Sequence, residues 1–237
     1  MLIADHAQVA NNLLSELPSE EYQLLLMHLE PVVLTFGEVL YHPGKAITHV
    51  YFPTDSLVSL LTIAEGHQAL EVGLVGPEGM LGIPLALGVT QSPVRAMVLR
   101  SGTALRMSSV NFLQEFKQNE LLQRHIYQYT YKLMAQLTQT AACNRFHQVE
   151  ARLARWLLMT RDRVRSNQFN LTQELLGNML GVRRVGVTKA AGALRDRKLI
   201  TYNRGEISIL NGDGLETAAC ECYQIIKHMH ELEPPKA

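Results

Sequence analysis

The chain has 237 residues, 47% hydrophobic and 19% charged, with 22 Lys+Arg against 22 Asp+Glu. That length holds one large domain or two small ones, each with its own core, and no apolar run approaches the ~20 residues that cross a bilayer. Three cysteines (Cys143, Cys220, Cys222) supply no disulfide framework, and Met1–Ala10 lacks the basic start and apolar core of a secretory signal, so a cytoplasmic protein with reduced thiols and no membrane partner is expected.

The neutral total hides an uneven distribution. Residues 1–143 carry a net charge of −5 and residues 144–237 one of +5; within 144–205, 13 basic residues stand against 4 acidic ones. A basic module joined to an acidic one points to a polyanion partner for the C-terminal part. The plainer reading is a solvated basic face.

Residues 13–29 read as helical, with Ser19 as an N-cap after Pro18 and Glu20 and Glu21 in the first turn, where negative charge suits the helix dipole. From Val32 to Met107 come short β-rich runs: VVLTF, HVYF, LVSLLTI, EVGLV, RAMVL and ALRM. Turn signals separate them, among them His42-Pro43-Gly44, Glu65-Gly66 and Gly76-Pro77-Glu78-Gly79. Short strands so spaced indicate a sandwich or barrel.

From Ser108 to about Val164 the pattern is helical, without Gly or Pro. Leu122, Ile126, Tyr129, Leu133, Leu137 and Thr140 recur at steps of three and four, one stripe along a long helix. Such a stripe packs either on its own domain or on a twin helix across a dimer axis. The length, with Gln123, Arg124, Gln128, Lys132, Gln136 and Gln139 on the other faces, favours the dimer seam. The charge sign changes near Asn144–Gln148, which places a domain boundary there. The expected division is 1–118, 119–143 for the dimerisation helix, and 144–237. A further helix is expected over Val149–Thr160, with Val149, Leu153, Trp156 and Leu157 on one face, followed by a polar connection over Arg161–Asn170.

The stretch LTQELLGNMLGVRRVGVTKAAGAL, residues 171–194, reads as two short helices joined at a glycine. Thr172 suits an N-cap. Gly177 is small where a second helix crosses, and Gly181 suits a turn with positive φ. Leu176, Leu180, Val187 and Ala190 fall on the shared buried face. The second helix then exposes Arg183, Arg184, Val185, Thr188 and Lys189. An arginine can donate two hydrogen bonds to guanine O6 and N7, worth roughly 1–3 kcal/mol against a wrong base, while Thr188 and Lys189 suit a phosphate or a thymine methyl. Downstream, Leu199–Asn203 and Glu206–Leu210 alternate around Arg204-Gly205, a β-hairpin signal. Helix-turn-helix plus hairpin makes a winged helix, with Arg204 at the wing tip near the DNA backbone.

These residues carry a resemblance to the family of the cyclic-AMP receptor protein and the Fnr oxygen regulator, nearest over Leu171–Leu210 and extending over nearly the whole chain. The resemblance implies an α+β protein: an N-terminal β-roll of the cyclic-nucleotide-binding type, a dimerisation helix and a C-terminal winged helix. It implies a homodimeric transcription factor on double-stranded DNA that contacts RNA polymerase. Arg184 falls on the family's guanine-reading arginine and Thr188 on a further recognition position. Val185 falls on a base-reading glutamate; valine cannot accept a hydrogen bond from cytosine N4, so the operator is expected to differ there.

The family's phosphate cassette has a Gly-Glu-Leu turn and, about ten residues on, an Arg-Ser pair. In GPEGMLGIPLALGVTQSPVRAMV, Gly82 stands as the turn glycine, Ile83 where the ribose-binding glutamate belongs, and Arg95 near the phosphate arginine, followed by Ala96. Cyclic AMP is therefore not expected, and Arg95 reads equally as a plain strand residue. Any small-molecule effector is unidentified. The Fnr branch holds an iron–sulfur cluster on four cysteines; three, none before residue 143, do not match it. Cys220 and Cys222, two apart on the helix expected after Gly214, should point to different faces, so no metal or other cofactor is expected. No spacing selects a haem ligand among His28, His42, His49 and His67. No nucleophile–base or metal-ligand spacing marks an enzyme. The competing reading is a small-molecule receptor that acts through protein contacts.

Overall fold

The computed structural model describes residues 11–63, 69–203 and 205–231. They form two compact units, one from the described residues of 11–61 and 74–131 and one from those of 62–73 and 132–231. Among the described residues no helix is long and apolar enough to cross a membrane.

The first unit opens with α1 (Asn12–Ser15) and α2 (Ser19–Leu26) where one helix over 13–29 is expected. Pro18 makes the break. It occupies the N-cap of α2 at ψ 151°, and Ser19 is the first helical residue instead of the cap. Asn11 is buried and used at both ends of its amide. Its Oδ1 accepts from the Leu14 N–H, and its Nδ2 donates to the Pro53 and Gly79 carbonyls at 2.8 and 2.9 Å.

The six β-rich runs all become strands: β1 (Glu30–Leu34), β3 (His49–Pro53), β4 (Leu57–Thr62), β5 (Leu70–Val75), β6 (Arg95–Arg100) and β7 (Gly102–Ser108). β2 (Val39–Tyr41) is additional, too short to show alternation. They form two sheets, ordered β1-β7-β3 and β2-β6-β4-β5, joined by antiparallel pairs such as Tyr51 with Arg106 and Leu60 with Ala96. Phe52, Leu57, Val58, Val98 and Met107 are buried. A short helix, α3 (Ile83–Ala86), lies between β5 and β6, and α4 (Ser109–Gln118) follows β7, capped by Ser108 Oγ and stacking Phe112 on Phe116.

The long helix α5 runs Glu120–Phe146. Its stripe is used differently from the seam expected of it. Leu122, Ile126 and Tyr129 are buried within the first unit, and the Tyr129 ring lies over Gly79, where a Cβ would sit 2.1 Å from it. Thr140 is buried in the second unit, and Leu133 and Leu137 are half-buried. Side chains already covered by their own chain cannot cover a twin. Gln136, expected on an outer face, is buried and accepts a 2.6 Å bond from Arg163 Nη2. Besides Leu121 and Phe146 near its two ends, α5 leaves the large apolar residues Tyr127, Tyr131 and Met134 exposed, at 49, 59 and 61%. Their spacing of four and three keeps them on one side of the helix.

In the second unit, α6 (Val149–Val164) is followed by β8 (Gln168–Asn170), α7 (Gln173–Leu180), α8 (Arg184–Asp196), β9 (Ile200–Asn203), β10 (Glu206–Ile209), α9 (Gly212–Ala218) and α10 (Cys222–Glu231). β8 lies in the stretch expected to be a polar connection and pairs with β10, giving a sheet ordered β8-β10-β9. Trp156, Leu157, Leu176, Leu180, Val187, Leu194 and Ile207 form the core. Trp156 Nε1 donates to Glu71 Oε1 at 2.7 Å, which satisfies two buried polar groups at once.

Candidate nucleic-acid interface

The two helices α7 and α8 meet as the glycine spacing demands. Thr172 caps α7 by accepting the Leu175 N–H at 3.2 Å. Gly181 ends the helix at φ 61°, a left-handed conformation that costs other residues about 1 kcal/mol or more. Gly177 lies under the turn. A Cβ there would stand 2.8 Å from the Val182 carbonyl oxygen, so only hydrogen lets the chain cross so near.

α8 buries Val187, Ala190, Ala191 and Leu194 and exposes Arg183, Arg184, Val185, Thr188 and Lys189. Arg183 is the N-cap and Arg184 the first helical residue, so both side chains leave from the helix start. All five α8 residues expected to face DNA are thus brought together on one exposed surface. Arg204 lies outside the described residues.

Gln173, in the first turn of α7, belongs to the site and was not expected from the sequence. Its Oε1 accepts from Thr188 Oγ1 at 2.9 Å and from Arg184 Nε at 3.3 Å. Thr188 Oγ1 also reaches the Arg184 carbonyl at 3.0 Å. The two terminal nitrogens of Arg184 have no hydrogen bond among the described residues. One amide therefore steadies the guanidinium from behind and leaves its two-pronged end free. A T-Q pair at a helix start gives a sequence-level hint of a cap, but only the fold shows that Gln173 faces α8.

The wing is tied to the same place. Tyr202 Oη donates to the Leu171 carbonyl at 2.9 Å, and the Leu171 N–H donates to the Gly205 carbonyl at 2.6 Å. Burial raises the Tyr202 phenol above its ordinary range, against the opposing charge of Arg184 nearby. Thr172, Gln173, Glu174, Arg184, Tyr202 and Gly205 line an open polar groove of about 420 Å³. The start of α7, the start of α8 and the wing thus converge on one polar, solvent-facing concavity, in which Arg184 stands opposite the acidic Glu174 in charge.

The effector positions lie in the first unit. Gly82 takes φ 105° at the start of α3, with Val50 Cγ1 2.7 Å from where a Cβ would be, as a turn glycine should. Ile83 and Ala96 are buried and their side chains offer no polar atom, and Arg95 is half-buried, its Nε without a hydrogen bond among the described residues.

The cysteines depart from expectation. Cys220 and Cys222 do not share a helix: α9 ends at Ala218, Ala219 is extended, and α10 starts at Cys222. The break turns both thiols the same way, toward Cys143 and His147.

Comparison with known proteins agrees with this architecture. Residues 31–119 match the cyclic nucleotide-binding domain family and residues 151–218 the Crp-like helix-turn-helix domain family. Comparison with curated proteins gives no match. Among solved structures, a crp/fnr family protein from Eubacterium rectale is 15% identical, with a TM-score of 0.69 over 88% of this chain and 98% of its own. FixK2 from Bradyrhizobium japonicum is 13% identical, with a TM-score of 0.69 over 81% and 98%. The c-di-GMP responsive regulator CLP from Xanthomonas campestris is 16% identical, with a TM-score of 0.66 over 81% and 99%. With a cyclic nucleotide-binding domain, a long helix and a Crp-like helix-turn-helix in this order, the chain belongs to the Crp/Fnr family of transcriptional regulators.

Proposed function

We propose that the protein is a homodimer that reads a palindromic operator through α8. The observation that carries this is the α8 surface: five DNA-suited side chains exposed, the opposite face buried, and Arg184 steadied by Gln173 with its prongs free. Arg184 reads guanine, Arg183 and Lys189 hold phosphate, and Val185 leaves its base pair without the hydrogen bond a glutamate would accept. Two copies of α5 pair through Tyr127, Tyr131 and Met134, which sets the recognition helices in successive major grooves, ~34 Å apart. The bound dimer contacts RNA polymerase, as its family does.

The roll takes an effector other than cyclic AMP, or none. Ile83 stands in place of the ribose-binding glutamate and Ala96 in place of the serine beside the phosphate arginine, which would leave oxygens of a cyclic nucleotide unpaired on burial. A different ligand has a counterpart in the fold, since the Xanthomonas campestris regulator is c-di-GMP responsive. Ligand would shift an existing equilibrium between DNA-binding and non-binding states. Selection of sites from a random duplex library tests the reading. Enrichment of a two-fold symmetric sequence, with salt-sensitive binding, is expected. Failure to enrich any sequence would favour a receptor that acts through protein contacts.

A further inference from the structure

Away from the DNA-facing surface, the second unit gathers four groups with metal-ligand chemistry. Cys143 Sγ is 3.5 Å from Cys220 Sγ, and Cys222 Sγ is 3.3 Å from His147 Nδ1; the four donor atoms all lie within 4.8 Å of one another. Cys143 and His147 are one turn apart, with the His147 N–H still bonded to the Cys143 carbonyl at 3.1 Å, so they project from one side. The break between α9 and α10 brings in the other two. All three cysteines are buried, with Ala151 packed against them.

We propose that Cys143, His147, Cys220 and Cys222 form a structural zinc site that ties the end of α5 to the start of α10. Zinc–sulfur bonds of about 2.3 Å and a zinc–nitrogen bond of about 2.0 Å put tetrahedral ligands about 3.5–3.8 Å apart. The two measured separations are within a few tenths of an ångström of that. A sulfur-rich set with one imidazole selects zinc over magnesium or calcium. The 3.5 Å sulfur separation is far from the ~2.05 Å of a disulfide. A cluster of several irons would spread its ligands over a larger polyhedron than this one. Four protein donors complete the tetrahedron, so the site is structural and leaves no position open for chemistry.

The surroundings fit the same assignment. His147 Nε2 is 3.0 Å from Glu221 Oε1, and a carboxylate there keeps the proton on Nε2 and leaves the Nδ1 lone pair for the metal. Gln139 Nε2 donates to Cys222 Sγ at 3.1 Å. Arg155 is buried, no carboxylate pairs with it among the described residues, and its Nε has no hydrogen bond. A buried cation without an anion is costly. Zinc with three thiolates carries one negative charge and supplies it. Buried cysteines often pack simply as small apolar groups. Packing alone does not gather a histidine with both nitrogens engaged and an arginine without a carboxylate. On binding, the three thiols release their protons to solvent and the imidazole binds neutral.

The test uses the full chain purified under reducing conditions without chelator. Elemental analysis should find one zinc per chain. After removal of zinc and addition of Co²⁺ alone, the spectrum should show an ultraviolet thiolate-to-cobalt band and the visible bands of a tetrahedral ion. Cys220→Ser combined with Cys222→Ser should abolish both zinc and spectrum. The wild-type cobalt spectrum needs no variant and carries the test if that variant fails to fold. An octahedral cobalt spectrum, a metal-free protein with three freely titrating thiols, a Cys143–Cys220 disulfide, or copurified iron with inorganic sulfide would each overturn the assignment.

Discussion

Replacing Arg184 by alanine should remove sequence preference while leaving general affinity for DNA largely in place. Arg184 is exposed at the start of α8, its Nε held at 3.3 Å by Gln173 Oε1 and its terminal nitrogens unbonded among the described residues. A two-pronged contact to guanine discriminates by about 1–3 kcal/mol. The proposed dimer would present two copies, so about 2–6 kcal/mol is at stake. That is a loss of roughly 30-fold to roughly 10⁴-fold in the ratio of operator to random-sequence affinity. Gln173→Ala keeps the guanidinium but frees it to reorient, so a smaller loss in the same ratio is expected. The assay is fluorescence anisotropy at fixed salt, with a selected operator and a scrambled duplex of the same composition. An unchanged ratio for Arg184→Ala would refute base reading. An equal loss on both duplexes would reassign the residue to phosphate.

Lys189→Ala should weaken all duplexes alike and lower the slope of log affinity against log salt by about 0.9 for each phosphate no longer neutralised; a changed preferred sequence would contradict its phosphate role. Tyr131→Glu with Met134→Glu should yield monomers in sedimentation equilibrium, whereas Leu133→Glu, at a half-buried position, should chiefly lower the unfolding midpoint. A dimer that survives the double variant would exclude α5 as the seam. Gly177→Ala should cost about 1–3 kcal/mol in denaturant unfolding, because its methyl would meet the Val182 carbonyl; an unchanged midpoint would show that the turn relaxes freely. Trp156→Phe should cost about 1–3 kcal/mol by the same measurement, since the buried Glu71 carboxylate is deprived of the indole N–H.

The elements most legible in the sequence are those whose chemistry is local. Gly177 and Gly181 specify a close crossing and a left-handed turn, and Thr172 a cap. These constraints act within a few residues, so they survive without knowledge of what lies across the fold. The six β-rich runs are legible for a related reason, because each is long enough to show its residue preference between turn signals. β2 and β8, at three residues each, carry no such pattern and exist because β6 and β10 offer edges to pair with. The family resemblance brings what local reading cannot: the order of the domains and the place of the cassette.

Periodicity reports that a helix has an apolar side, but not what covers it. Leu122, Ile126 and Tyr129 satisfy the spacing of a dimer seam and are used up inside their own unit, with the Tyr129 ring resting on Gly79. The exposed side, Tyr127, Tyr131 and Met134, has the same three-and-four spacing and is weaker as a pattern because tyrosine and methionine are interleaved with polar residues. The cysteines escape sequence reading for the opposite reason. Two residues two apart diverge on a helix, but Cys220 and Cys222 diverge only if one helix contains both. No glycine or proline stands between Leu215 and Met229 to announce the end of α9. The Ala219 backbone leaves the helix at ψ 157°, and that single extended residue turns a pair of divergent thiols into half of a convergent set. Long-range convergence of this kind depends on where α5 ends, at Phe146, and where α10 begins, at Cys222. Sequence spacing cannot carry it across so long a stretch of chain.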